Sequence, residues 1–268
     1  MLTLMAVHAH PDDEVLGTGG VLARSAAEGI RTVLVTCTNG EQGDWPGGVK
    51  PGEEGHDGAA VRATRLEELK ESAAILGIEH VELLGYTDSG MDGWDTNHAD
   101  DAFWNVPLAE STAKLIALME HYQPQVVVTY DENGGYGHPD HIQAHRVAMA
   151  ASDATGIPRK FYYTAMPKSG IRTMFQYLRD HNIEAPGMDL DNPPEFGTPD
   201  ELVTTVVEVG AYAKQKIEAL MAHASQGENI FFLRMPAEAQ QMMFGQESFT
   251  RVKGDGPLPE DDLFVGLR

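Results

Sequence analysis

Val7-His8-Ala9-His10-Pro11-Asp12-Asp13-Glu14 closes the first apolar run of the chain, and its reading decides the fold. Leu2 to Val7 has the composition of a strand buried on both faces. Histidines and acids crowd the point where that strand ends, which is where open α/β sheets place their chemistry. A second cluster, Tyr136-Gly137-His138-Pro139-Asp140-His141, follows the Val-rich run Gln125 to Tyr130. Two His-Pro-Asp segments, each closing a strand, read as two halves of one metal site.

Working outward, Val21 to Glu28 reads as a helix stopped by Gly29, and Arg31 to Thr38 as the next strand. Strand, helix and strand in so short a span make a βαβ unit, so the first two strands should be parallel. Ala59 to Leu76 carries an apolar stripe (Val61, Leu66, Leu69, Ala73, Leu76) and is expected to be helical, as is Pro107 to Tyr122. His80 to Leu84 and Lys160 to Met166 are further strands, and Ile142 to Ala154 a further helix. The loops 40–57 and 92–106 are long, polar and glycine- or aromatic-rich, as functional loops are. Beyond Pro167 the pattern weakens to a helix at Ile171 to His181, a β-branched run at Leu202 to Val209 and a helix at Ala211 to Ala224. The tail from Gly254 reads as surface-laid or frayed. With no repeat, linker or composition break, one α/β domain with a mostly parallel, Rossmann-like sheet is expected over 1–268. Within it, 1–166 forms the metal-site core and 167–268 completes the substrate pocket.

The bulk composition excludes several classes. A net charge of −22 in 268 residues argues against nucleic-acid or anionic-membrane partners, which need basic patches. No apolar run approaches the roughly 20 residues of a membrane helix, and the N-terminus lacks the basic start of a signal peptide. A cytoplasmic protein acting on a small molecule is the expectation, and assembly as a homo-oligomer is compatible with it. The single cysteine, Cys37, falls in a strand and reads as an inert core thiol.

Zinc and similar ions take imidazole nitrogen and carboxylate oxygen, with three protein ligands and an open position in catalytic sites. His10 and Asp13, three apart at a strand-to-helix corner, can grip one ion, and His141 can supply the third ligand from a neighbouring strand end. Two histidines and a carboxylate with an open face activate a water molecule. Asp12 is then free to take a proton from that water. His138 and Tyr136 remain to stabilise an oxyanion and protonate a leaving amine, with Asp140 holding His138 in one tautomer or favouring its protonated form. Zn2+ is the expected ion, although this ligand set also suits Fe2+. His8 reads as core or a support behind the ligands, His145 as helix surface or support, and Glu14 as a structural acid at the helix start. Gly17-Thr18-Gly19-Gly20 lacks the full G-x-G-x-x-G spacing of a dinucleotide site, and close helix packing explains it better. Met242, Met243 and Phe244 read as packing.

On these residues the chain resembles the LmbE/PIG-L superfamily of zinc-dependent N-acetylglucosamine deacetylases, through Ala9 to Glu14 (A-H-P-D-D-E) and His138 to His141 (H-P-D-H). Thr129 to His138, Asp88-Ser89-Gly90-Met91 and Ala222-His223-Ala224-Ser225-Gln226 are similar to the mycothiol deacetylase and mycothiol conjugate amidase branch. The resemblance implies a Rossmann-like sheet, the same metal triad, Asp12 as base, and His138 with Tyr136 at the tetrahedral intermediate. It further implies that Arg65 and Asp88 hold sugar hydroxyls, although as a bare sequence position Arg65 reads as helix surface. His223 is assigned only to the pocket rim. Val15-Leu16-Gly17 departs from the mycothiol pattern, which leaves the substrate open. The expectation is therefore a metal-dependent amide hydrolase acting on an N-acetylglucosamine-type amino sugar or conjugate. Its rivals are an amidase of larger thiol conjugates, a non-catalytic metal- or sugar-binding module, and a nucleotide-dependent oxidoreductase.

Overall fold

The computed structural model of the chain describes all residues except 46–47, 184–188, 192–196, 230–232 and 234, with the backbone alone for 227–229. Two of the undescribed residues lie in the first long loop and all of the others in the region after Pro167.

The apolar run forms β1 (Thr3–His8), buried along its whole length. Met5 and Val7 enter one core while Leu4 and Ala6 enter the other, so β1 is the centre of a three-layer sandwich. Parallel to it run β2 (Arg31–Thr38) and β4 (Val126–Thr129) on either side, with β3 (His80–Tyr86) beyond β2 and β5 (Lys160–Ala165) beyond β4. The order is completed by β6 (Thr205–Glu208) and β7 (Gln246–Lys253), giving β3-β2-β1-β4-β5-β7-β6 with β7 antiparallel to both neighbours. Strand order reverses between β1 and β4, and a crevice opens outside the carboxyl ends of strands at such a point. Both His-Pro-Asp clusters leave from those two strands. The expected Rossmann-like α/β fold is present.

Helices α1 (Asp13–Ala27) and α2 (Gly58–Leu76) cover one face, and α3 (Leu108–Tyr122) and α4 (Pro139–Thr155) the other. The later helices are α5 (Lys168–Asp180), α6 (Ala213–Ala222) and α7 (Ala237–Phe244), with α6 packed on α1 and α2. Two helices start earlier than the sequence suggests, and both shifts matter. The first begins at Asp13 rather than Val21, placing Asp13 and Glu14 in its first turn beside the partial positive charge of the helix end. Its glycines are interior because neighbours press on it: a Cβ at Gly20 would lie 2.5 Å from Val209 Cγ2, and one at Gly17 3.1 Å from Thr164 Cγ2. The fourth helix begins at Pro139, a residue suited to the first helical position, so His138 to His141 form its N-terminal turn.

The C-terminal part corrects two expectations. Helix α7 was not expected, and strand β7 escapes sequence reading because an inward position of the strand is the buried Glu247. Its carboxylate accepts from Lys216 Nζ of α6 at 2.6 Å and from Gly20 N and Val21 N in the middle of α1, while Lys216 also donates to Leu16 O at 2.8 Å. The tail is not frayed. Leu263 and Phe264 are buried, and Glu260 accepts from Lys160 Nζ, Tyr162 Oη and Arg251 Nη1 in the sheet. Of the methionine-rich segment, Phe244 is buried and Met242 exposed. Cys37 is buried in β2, and burial pushes its thiol up, in keeping with an inert residue. Among the described residues no helix is long and apolar enough to cross a membrane.

Candidate active site

Three donor atoms meet at the crevice. His10 Nδ1 lies 3.3 Å from Asp13 Oδ2 and 3.3 Å from His141 Nε2, and His141 Nε2 lies 3.4 Å from Asp13 Oδ2. A tetrahedral ion with ligand bonds of about 2.0–2.2 Å needs its ligand atoms roughly 3.3–3.6 Å apart, so the triangle has the right edge length. The tautomers agree. His141 Nδ1 donates to Gly134 O (3.2 Å) and His10 Nε2 to Asp140 Oδ2 (3.2 Å), which turns a lone pair on each ring toward the triangle. Wider groupings of buried donors within 4.8 Å also exist, His10 with His138 and His141, and His10 with Asp88, His138 and Asp140. The second is the poorer seat, because both oxygens of Asp140 already accept from Ser89, Oδ1 from Oγ and Oδ2 from the backbone N–H. The residues present thus fit a divalent ion on His10, Asp13 and His141.

Charges within the cluster follow from its burial. Burial alone would lower His10, but Asp88, Asp13 and Asp140 around it hold its imidazole well above the usual range, so an ion in the triangle would take the place of its Nδ1 proton. Burial lowers His141 to about 4, against the pull of Asp13. Asp13 itself is held well below the usual carboxylate range, since His141 and His10 outweigh its burial. Burial, with His10 and His141 beside it, takes His138 down to about 3. Asp12 moves the other way: burial lifts its carboxyl to about 6, with Arg65 opposing.

Asp140 does not hold His138. Its carboxylate faces Ser89 and His10, and the contact to His138 runs through the backbone, Asp140 N–H donating to His138 Nδ1 at 3.1 Å. His138 caps its own helix in this way, which fixes its remaining proton on Nε2. Tyr136 is half exposed at the mouth, its ring centroid 5.0 Å from that of His141. Burial and the nearby Asp13 push its phenol up, so it is a donor and not a base.

Asp12 is the strained member, with φ 111° and ψ −27°. Such a conformation costs a side-chain-bearing residue about 1–3 kcal/mol and persists only where its surroundings impose it. Arg65 helps to impose it: Nη2 donates to Asp12 Oδ2 at 2.9 Å and to Pro11 O at 2.6 Å, while Nη1 donates to Gly40 O. Arg65 is therefore buried against the site and is not a helix-surface residue. Asp88 is buried as well, its Oδ1 accepting from Gly90 N and lying 3.5 Å from His10 Nε2.

The remaining histidines sort cleanly. His8 is core, hydrogen-bonded with Tyr130 Oη and Thr18 Oγ1. His145 is buried and donates to Tyr130 O, so it supports the site and does not face solvent. His223 is not at a rim: it is fully buried and donates to Glu14 Oε1 at 2.8 Å. Glu14 is structural as expected, accepting from the Asp12 backbone N–H at 2.9 Å. Sequence reasoning missed Tyr130, which donates to Asp13 Oδ2 at 2.8 Å and stacks on His141 with centroids 4.2 Å apart. It also missed Ser89, the buried anchor of Asp140. The signal for each was its place at a strand end, inside a block that resembles the family but to which no role was attached.

Comparison with known proteins identifies the relatives of this chain. The family model described as GlcNAc-PI de-N-acetylase matches residues 5–152. A curated relative from Acidothermus cellulolyticus, a 1D-myo-inositol 2-acetamido-2-deoxy-alpha-D-glucopyranoside deacetylase, is 41% identical over 99% of this chain and 95% of its own length. Among solved structures, N,N'-diacetylchitobiose deacetylase from Pyrococcus horikoshii matches with a TM-score of 0.60 and 20% identity over 94% of this chain and 84% of that one. A 4-carboxy-2-hydroxymuconate hydratase from Pseudomonas putida has the same TM-score, 0.60, at 18% identity over 96% of this chain and 98% of its own. At that distance the likeness is one of fold, and a shared fold does not fix the reaction.

Proposed function

The chain belongs to the GlcNAc-PI de-N-acetylase family, and on that footing we propose that it removes the acetyl group from an N-acetylglucosaminyl-inositol by metal-assisted amide hydrolysis. The observation that carries the reading is the donor triangle of His10, Asp13 and His141, with Asp12 and His138 beside it. The relatives' substrate supplies the sugar.

Residues His10, Asp13 and His141 would hold the ion, with zinc the first choice and Fe2+ the second. Bound there, a divalent ion supplies Lewis-acid polarisation of the amide and makes a water acidic enough to lose a proton near neutral pH. The protein's own part follows from the contacts described. Asp12, lifted toward neutrality yet held in place by Arg65, takes the proton from the attacking water. Tyr136 donates its phenolic hydrogen to the oxyanion as the amide carbon becomes tetrahedral. His138, whose Nδ1 accepts from the Asp140 N–H, steadies the departing amine nitrogen through its Nε2–H, and the proton that Asp12 took from the water passes to that nitrogen as the C–N bond breaks. Arg65 and Asp88 would meet the sugar hydroxyls. No phosphate-binding glycine loop competes for this crevice, because the acids of Asp12 to Glu14 fill the turn where one would lie.

Asp12→Ala tests the assignment. The variant should keep its metal and lose on the order of 10²–10⁴ in turnover, the usual worth of a positioned base. Retained turnover with lost metal would mean that the base and ligand roles have been exchanged.

A further inference from the structure

The block Ala222 to Gln226 lies far from the donor triangle in sequence and is given no task by the reaction. In the structure it closes a buried chain of hydrogen bonds that ends on the backbone of Asp12. His223, fully buried, donates from Nε2 to Glu14 Oε1 at 2.8 Å, and Ser72 Oγ of α2 donates to the same oxygen at 2.5 Å. The other oxygen, Glu14 Oε2, accepts the Asp12 N–H at 2.9 Å. His223 Nδ1 is buried with no hydrogen-bond partner among the described residues, so Glu14 is the one polar group that this ring serves there. The residues that follow extend the strap: Ser225 N and Oγ donate to Glu68 of α2, and Gln226 exchanges hydrogen bonds with the backbone of Asp44 in the first long loop.

Packing does not require this chemistry. A fully buried site that needed only volume would take an apolar side chain, and a buried carboxylate is costly unless every lone pair is matched. Here three donors from three separate elements are matched to one carboxylate whose free end holds a residue at φ 111°. Among residues other than glycine, only Gln123 and Asn182 share a positive φ within the described chain. Gln123 is the C-cap of α3 and Asn182 follows the end of α5, positions where left-handed turns are ordinary. At Asp12 the conformation precedes a helix.

We infer that Glu14, held by Ser72 and His223, is a positioning residue that keeps Asp12 in its left-handed conformation so that its carboxylate stands ready as the base. The inference rests on Asp12 having that role. Arg65 holds the carboxylate and the Pro11 carbonyl, the Glu14 chain holds the N–H, and the two together leave Asp12 no relaxed alternative.

The test uses the metal-loaded full chain with N-acetylglucosaminyl-inositol, reading kcat, KM and metal content for wild type, Glu14→Gln, His223→Leu, His223→Gln and Asp12→Asn. Glu14→Gln and His223→Leu should lower kcat on the order of 10²-fold, the scale of a misplaced reacting group, with KM and metal content unchanged. His223→Gln, which can return an N–H donor to the place of Nε2, should recover most of that loss. Crystal structures should show Asp12 leaving positive φ in His223→Leu and returning to it in His223→Gln. Should His223→Leu not fold, Ser72→Ala removes a single donor, and a fall in kcat at constant KM supports the inference in the same way. Wild-type kcat in these variants alongside an inactive Asp12→Asn would overturn it, as would Asp12 unmoved in the His223→Leu crystal. Full activity in Asp12→Asn would instead defeat the base assignment, and the crystal structures would still decide whether the chain of contacts holds Asp12.

Discussion

His10 Nε2 donates to Asp140 Oδ2 at 3.2 Å, and Asp140 is itself fastened by Ser89 from both its backbone N–H and its hydroxyl. A carboxylate behind a ligating imidazole fixes its tautomer and makes its other nitrogen a better donor. Asp140 would thus act on a bound ion through His10, and its contact with His138 is confined to the backbone N–H.

Asp140→Ala is expected to weaken metal affinity by about 10–100-fold, the usual effect of losing such a support. A competitive chelator titration reads this directly. Unchanged affinity with slowed turnover would return Asp140 to the role of holding His138.

His141→Ala should abolish stoichiometric metal binding, and chelation of the wild-type chain should remove activity that added Zn2+ or Fe2+ restores. Elemental analysis of the purified variant checks the first point. Tight one-to-one binding by His141→Ala would take this residue out of the triangle.

Lys216→Met should destabilise the fold by about 3–5 kcal/mol, since it strands the buried Glu247 carboxylate without its cation. The urea midpoint measures the loss. Because Lys216 and Glu247 also serve Leu16 O, Gly20 N and Val21 N of α1, the expected damage reaches the helix that carries Asp13. A change under about 0.5 kcal/mol, ordinary for a surface substitution, would contradict the buried-pair reading.

Alkali should unfold the protein before its buried phenols ionise. Burial, with Glu82 as hydrogen-bond partner, pushes Tyr122 up to about 12, and burial likewise takes Tyr86 and Tyr163 to about 12. A folded value above the unfolded one of about 10 adds stability that is whole below pH ~10 and lost as pH climbs toward ~12. Tyrosinate absorbance from these residues should therefore rise together with the loss of helical circular dichroism. Ionisation at pH ~10 in a chain that is still folded would contradict it.

Most strands and helices of the first 166 residues were legible because their signals are local. Buried parallel strands are apolar runs, their helices carry stripes, and the two motifs sit at strand ends where the topology brings them together. What was not legible depends on contacts across the fold. The helix was read only from Val21, and its extension back through Gly17 to Gly20 rests on Val209 and Thr164 pressing on those glycines. Strand β7 hides because a buried glutamate breaks its alternation, and that glutamate is tolerable only with Lys216 opposite. The ligand triad could be proposed from spacing and residue type, and the structure brings its three atoms together. The partner of Asp140 could not, because His138 is its neighbour in sequence whereas His10 is its neighbour in space.

The most direct measurement is acetate release from N-acetylglucosaminyl-inositol, with free amine and metal content determined on the same sample. Acetate and amine in equal amounts from protein carrying one divalent ion per chain, both abolished by chelation, is the expected result. No acetate from the metal-loaded protein, or amine formed without acetate from a larger thiol conjugate, would contradict the proposed deacetylation.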